Sequence, residues 1–139
     1  MIIIDTNVLS ELMKAQPDAS VAAWLKRQDP TAIFTTTISE AEIRFGVALL
    51  PDGQRRRALD AAAQAMFAED FEDRVLVFDS EAATAYAQTM TERRAAGKPI
   101  AILDAMVASI ARACDASVAT RNVRDFLGCG VDVINPWDA

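Results

Sequence analysis

The chain begins Met1-Ile2-Ile3-Ile4-Asp5-Thr6-Asn7-Val8-Leu9-Ser10-Glu11-Leu12. Three isoleucines stop at a polar triplet, after which an apolar rhythm resumes. That pattern predicts a buried strand whose end feeds a helix. Ligands bind at that end of the strands in an open parallel sheet, so Asp5 is expected on the floor of a crevice, with Thr6 or Asn7 starting the helix. A plain N-cap role for Asp5 or Thr6 is the competing explanation.

Outward from this stretch, apolar and β-branched runs predict further strands over 32–36, 74–78, 116–120 and 131–134. Helices are expected between them. One is capped by Asp18, and one is opened by a Thr37-Ile38-Ser39-Glu40 capping box. Another runs from Gln54 to Phe67, a long one starts at Asp79-Ser80, one spans about 100–115, and a single turn follows Asn122. Strands alternating with helices imply an α/β fold in which a parallel sheet is covered on both faces, the three layers α/β/α. With 139 residues and 52% hydrophobic content, one domain over 1–139 is expected.

Composition removes whole classes of function. No apolar run approaches the roughly 18 residues a membrane span needs, and the start lacks the basic segment of a signal peptide, so the expected location is cytoplasmic. Cys114 and Cys129 have no metal-knuckle spacing and are expected as reduced thiols. Histidine is absent, which excludes Ser-His-Asp and Cys-His nucleophiles, paired-histidine chemistry and the usual zinc sites. Catalysis has to run on carboxylates, hydroxyls, amides, Lys, Arg or an oxygen-ligated metal. A net charge of −6 argues against a broad polyphosphate-binding surface. Local basic clusters remain at Arg55-Arg56-Arg57, at Arg93-Arg94 and at Arg121 with Arg124; the first two read most simply as solvated faces.

Two acids lack an ordinary explanation. Glu40 serves the expected cap, whereas Glu42 lies about 200 degrees round the helix from it and looks elsewhere, with Gly46 on nearly the same face. A solvated surface position is the alternative for Glu42. Asp104 is the one charge in Ile100-Ala101-Ile102-Leu103-Asp104-Ala105-Met106-Val107-Ala108, a run expected to be buried almost all round. An isolated buried carboxylate is costly and needs a partner, unless Asp104 caps the helix start. Strand ends and helix starts share one edge of such a sheet, so Asp5, Glu42 and Asp104, with Asp125 as a fourth, are expected to converge beside Thr120-Arg121-Asn122. Clustered carboxylates repel one another unless a cation neutralises them, and oxygen-only ligands point to Mg²⁺ or Mn²⁺. Such an ion polarises a phosphoryl oxygen and activates a water, which allows phosphodiester hydrolysis without histidine. Thr6, Asn7, Thr120 and Asn122 would orient ligands or water around it.

Five blocks in order, Asp5-Thr6-Asn7 after the isoleucines, Glu42 with Gly46, Asp104-Ala105, Thr120-Arg121-Asn122-Val123-Arg124-Asp125-Phe126, and Asn135-Pro136-Trp137, together resemble a PIN-domain nuclease of the VapC type. That resemblance implies a five-stranded parallel sheet in the order 3-2-1-4-5 and a Mg²⁺-dependent endoribonuclease acting as a toxin. It also implies a cognate antitoxin, homodimers, and contact with promoter DNA only through the antitoxin. Carried over by position, the catalytic set is Asp5, Glu42, Asp104 and a fourth group at Asn122 or Asp125. Asn122 departs from members with an aspartate there and offers only a neutral oxygen. Arg44, Arg121 and Arg124 are candidate RNA contacts from their nearness to these motifs. A dehalogenase-like phosphatase would want an acid where Asn7 stands, and a receiver domain a lysine at the late strand end. The remaining alternative is a PIN fold that binds RNA or a partner without cutting.

Overall fold

The computed structural model describes residues 1–139. Strands β1 (Ile2–Ile4), β2 (Ile33–Thr36), β3 (Val75–Leu76), β4 (Ser117–Ala119) and β5 (Val133–Ile134) form one sheet in the order β3-β2-β1-β4-β5. Every neighbouring pair is parallel. The helices are α1 (Thr6–Leu12), α2 (Ala19–Lys26), α3 (Thr37–Ala48), α4 (Gln54–Ala65), α5 (Ser80–Ala95), α6 (Ile102–Ala113) and α7 (Val123–Phe126). The α/β architecture is the one expected from the alternation of strands and helices, and the strand order is the one the family resemblance implied.

The central strand shows why the sheet is covered on both sides. Successive strand residues point to opposite faces, and in β1 both faces are apolar. Ile3 enters a cluster with Ala82 of α5, Val107 and Ile110 of α6, and Phe126 of α7. Ile4 enters the opposite cluster with Val8 and Leu9 of α1, Trp24 of α2 and Ile43 of α3. Val118 and Ala119 of β4 divide between the same two clusters. No helix is long and apolar enough to cross a membrane.

Several boundaries differ from expectation, each for a physical reason. The strand expected over 74–78 shrinks to two residues because its partner β2 ends at Thr36, where the chain turns into α3. The strand expected over 131–134 pairs only through Val133 and Ile134, opposite the end of β4. Ala32 belongs to a 3-10 turn, Pro30–Ala32, capped by Asp29, whose carboxylate accepts the Thr31 N–H at 2.9 Å. The cap of α3 is Thr36 rather than Thr37: the Thr36 hydroxyl accepts the Ser39 N–H at 3.1 Å. Glu40 is therefore released from the expected capping box and instead accepts a hydrogen bond from Arg44 Nε at 2.8 Å, one turn along α3. α4 ends at Ala65 and continues as a π-helical turn, Met66–Asp70, with Met66, Phe67 and Phe71 buried. Asp18 and Asp79 cap α2 and α5 as expected.

Candidate active site

Asp5 leaves the end of β1, with its backbone N–H donating to Ala119 on the neighbouring strand at 2.9 Å. It occupies the N-cap position of α1, yet its side chain makes no capping bond, so the simple cap explanation fails. The carboxylate instead faces β4's exit. Its Oδ2 accepts hydrogen bonds from the Thr120 hydroxyl at 3.0 Å and from Asn7 Nδ2 at 3.3 Å. Asn7 Nδ2 also donates to Thr120 Oγ1 at 3.2 Å, and Asn7 Oδ1 accepts the Arg121 N–H at 3.0 Å. The Asn122 N–H closes the network on Thr120 Oγ1 at 3.1 Å. Thr6, Asn7, Thr120 and Asn122 were expected around the acids, and all four lie there. Thr6 Oγ1 donates to Glu42 Oε1 at 2.8 Å, which brings α3 to the start of α1.

Glu42 and Glu40 look opposite ways, as the helix geometry required: one meets Thr6, the other Arg44. Gly46 shares a groove of about 720 Å³ with Glu42 and Thr6; it runs between α1, α3 and α4 as far as Arg55. A methyl group at Gly46 would meet nothing within 4 Å, so this glycine opens the groove without forcing a close approach.

Asp104 is the third residue of α6, whose N-cap is Ala101, so it does not cap the helix. The expectation that its surroundings are buried all round holds only on one side: Ala105, Val107 and Ala108 are buried, while Ile102 and Leu103 are exposed. The first turn of α6 lies at the rim of the crevice, which leaves Asp104 half-buried.

Electrostatics tie the acids together. Burial raises the Asp5 pKa above its ordinary value, a rise opposed by hydrogen bonds from the Thr6 backbone and the Thr120 side chain and reinforced by the charges of Glu42 and Asp125. Asp104 is pushed up to about 6, first by desolvation and then by Asp5, Asp125 and Glu42. No hydrogen bond relieves Asp104, and no Arg or Lys counters either acid. Glu42 and Asp125 thus each act on both Asp5 and Asp104. Asn122 sits at the N-cap position of α7 with no side-chain capping bond.

The donor set fits a hard divalent cation. Asp5, Glu42 and Asp104 offer carboxylate oxygens beside the Thr6 and Thr120 hydroxyls, and no basic side chain counters Asp5 or Asp104. No three acidic side chains are already closed around one point. Mg²⁺ keeps several waters and takes only one or two carboxylates directly, so it does not require a closed set of three.

The expected RNA-contacting arginines fare differently. Arg44 pairs with Glu40 at 2.8 Å, donates to Gln64 at 3.1 Å and lies over the Phe67 ring at 5.5 Å. Arg121 packs over Trp137 at 4.9 Å. Arg124 is exposed on α7. Sequence reasoning missed one group near the site. Arg93, read as part of a solvated face, is 7% exposed and donates to the carbonyls of Lys98 and Leu127. Nothing in the local sequence marked it, because its acceptors are carbonyls that come close only in the folded chain.

The PIN domain family model matches residues 2–127. A VapC ribonuclease of Sinorhizobium fredii, Y4jK, is 40% identical over 138 residues, covering 99% of each chain. Toxin FitB of Neisseria gonorrhoeae is 37% identical over 137 residues, again covering 99% of each. The crystal structure of FitAcB from Neisseria gonorrhoeae superposes with a TM-score of 0.93 at 37% identity, over 100% of both chains. A match running from residue 2 to residue 127 takes in Asp5, Glu42, Asp104 and Asp125 together, and this chain belongs to the PIN-domain family.

Proposed function

We propose that the chain is a Mg²⁺-dependent endoribonuclease, the toxin of a VapBC-type pair, held in check by a cognate antitoxin. One observation carries the reading: at the exit edge of the sheet the charges of Glu42 and Asp125 both act on Asp5 and on Asp104, and no basic side chain balances those two acids. Family membership supports the nuclease class, and the relatives' names support ribonuclease and toxin.

In this reading Asp5, Glu42, Asp104 and Asp125 hold the ion, Mg²⁺ with Mn²⁺ as a substitute. Asn122 is the turn residue that feeds Thr120, and it contributes only a neutral oxygen. When bound, the ion supplies Lewis-acid polarisation of the scissile phosphoryl group and acidifies a water. The protein does the rest. Thr120 and Asn7 fix the Asp5 carboxylate in one orientation through Oδ2, and Thr6 does the same for Glu42, so the ligands need little reorganisation. Arg121, braced on Trp137, and Arg124 are the cations left to meet RNA phosphate.

The antitoxin is the expected protein partner, and promoter DNA is reached only through it, in keeping with the net charge of −6. Phe45 in the last turns of α3 and Leu49 at its C-cap, both exposed, support a homodimer or antitoxin contact at that end of the helix. The expected compartment is the cytoplasm.

The test is cleavage of a structured RNA by the purified chain with Mg²⁺ or Mn²⁺, with EDTA, and with Asp5→Asn. Cleavage lost in both controls supports the reading. RNA binding without cleavage by the wild type in either ion would instead make this a silent binding module.

A further inference from the structure

Asp125 rides on the least self-sufficient helix of the molecule. α7 has four residues, and a single turn fixes several backbone angles for one hydrogen bond, so it does not persist alone. Two contacts hold its C-terminal end from outside. Phe126 is fully buried in the cluster that holds Ile3 and Ile110. Beyond it, the Leu127 carbonyl accepts a hydrogen bond from Arg93 Nη1. A cation at the carbonyl end of a helix is a favourable stop.

The same guanidinium reaches a second segment. Arg93 Nε donates to the Lys98 carbonyl at 2.7 Å, while the Lys98 N–H returns to the Arg93 carbonyl at 2.9 Å. Lys98 lies on the short link from α5 into α6, four residues before α6 begins and six before Asp104. One side chain on α5 therefore grips the approach to Asp104 and the exit from Asp125. None of the chain's ion pairs includes Arg93. A buried arginine without an acid is a poor stabiliser compared with an apolar residue of similar size. Its charge is not among those acting on Asp5 or Asp104, so it does not tune them electrostatically. What remains is geometry.

We propose that Arg93 is a positioning residue that sets Asp104 and Asp125 relative to each other, by tying the chain ahead of α6 to the end of α7 with one forked donor. This rests on the reading of the acidic crevice as a metal-dependent nuclease centre.

The test is Mn²⁺ binding to the full chain, by calorimetry and by the Mn²⁺-induced rise in melting temperature. Arg93→Gln is expected to bind Mn²⁺ about 10-fold more weakly than wild type, with Arg93→Lys recovering part of the loss. Combined with Asp125→Asn, Arg93→Gln should weaken binding by less than the product of the two single losses, because Asp125 no longer contributes and only the placement of Asp104 is left to lose. Arg93→Met, which keeps the packing of the stem, should show the same loss and covers the case in which Arg93→Gln does not fold. An Mn²⁺ affinity within about twofold of wild type in the folded variant, whatever its melting temperature, overturns the positioning role and leaves the metal centre standing. A wild type that takes up no Mn²⁺ brings down the nuclease reading, and this inference with it.

Discussion

Asp5 and Asp104 bring the same carboxylate into the same crevice from different kinds of support. Asp5 leaves a buried strand, is 4% exposed, and is wired through Thr120 and Asn7 into the exit of β4. Asp104 stands in the first turn of α6 beside exposed Ile102 and Leu103, with no hydrogen bond to relieve it. In both, desolvation is the leading cause of a raised pKa; only in Asp5 do hydrogen bonds oppose it. The contrast separates two jobs. Fixed donors at the strand end set the geometry in advance, whereas the helix-borne acid stays electrostatically unsatisfied and gains most from an incoming cation.

The largest effect comes from breaking the wired side at its centre. Asp5→Asn keeps the shape but removes the charge, and RNA cleavage in Mg²⁺ should fall by at least about 100-fold, measured as single-turnover rates. Next is the wiring itself. Thr120→Val removes the donor to Asp5 and the acceptor used by Asn7 and the Asn122 N–H. It should cost about 1–3 kcal/mol of stability, read by denaturant titration. It should also weaken Mn²⁺ binding by about 10-fold, read by calorimetry.

The unwired side predicts the opposite sign for stability. The folded-state pKa of Asp104 lies at about 6, above the ordinary 3.8, so folding favours its protonated form. Its contribution is full below the ordinary value and is lost as pH rises to about 6. Metal-free Asp104→Asn should therefore melt no lower than wild type at pH 7. Its melting temperature should vary less between about pH 4 and 6, and Mg²⁺ should raise it less than it raises the wild type's. A large metal-free loss in this variant would mean that Asp104 has a structural duty that the hydrogen bonds do not reveal. The smallest effect belongs to Arg44, outside both sides. Arg44→Ala breaks a partly exposed i,i+4 pair with Glu40; a stability change of about 0.3–0.5 kcal/mol and cleavage within about twofold of wild type are expected.

Much of the fold could be read from particular residues. Three consecutive isoleucines, apolar on both faces, predict a central strand buried on two sides, and Ile3 and Ile4 enter opposite clusters. The opposed directions of Glu40 and Glu42 follow from two positions on a helix, and both side chains obey. Asp104 as the one charge of its run led to the crevice, although the run's exposed first turn had to be seen folded. The α3 cap slipped by one residue because Thr36 and Thr37 carry the same capping acceptor, and only the end of the sheet pairing separates them. Asn122 and Asp125 were equally plausible fourth groups from spacing. In the fold the Asn122 N–H donates to Thr120, while the Asp125 charge acts on Asp5 and Asp104, and this favours Asp125 in the proposed ligand set.

By itself the sequence determined the alternation of strands and helices, the absence of histidine chemistry and the set of acids from which a site could be built, because periodicity and residue type are local properties. Tertiary structure alone decided which acids act on one another, which hydroxyl holds Asp5, and that Arg93 is buried between two carbonyls 29 positions apart rather than solvated. Those outcomes depend on distances between segments far apart in the chain, and such distances exist only once the sheet and its two helical layers have closed.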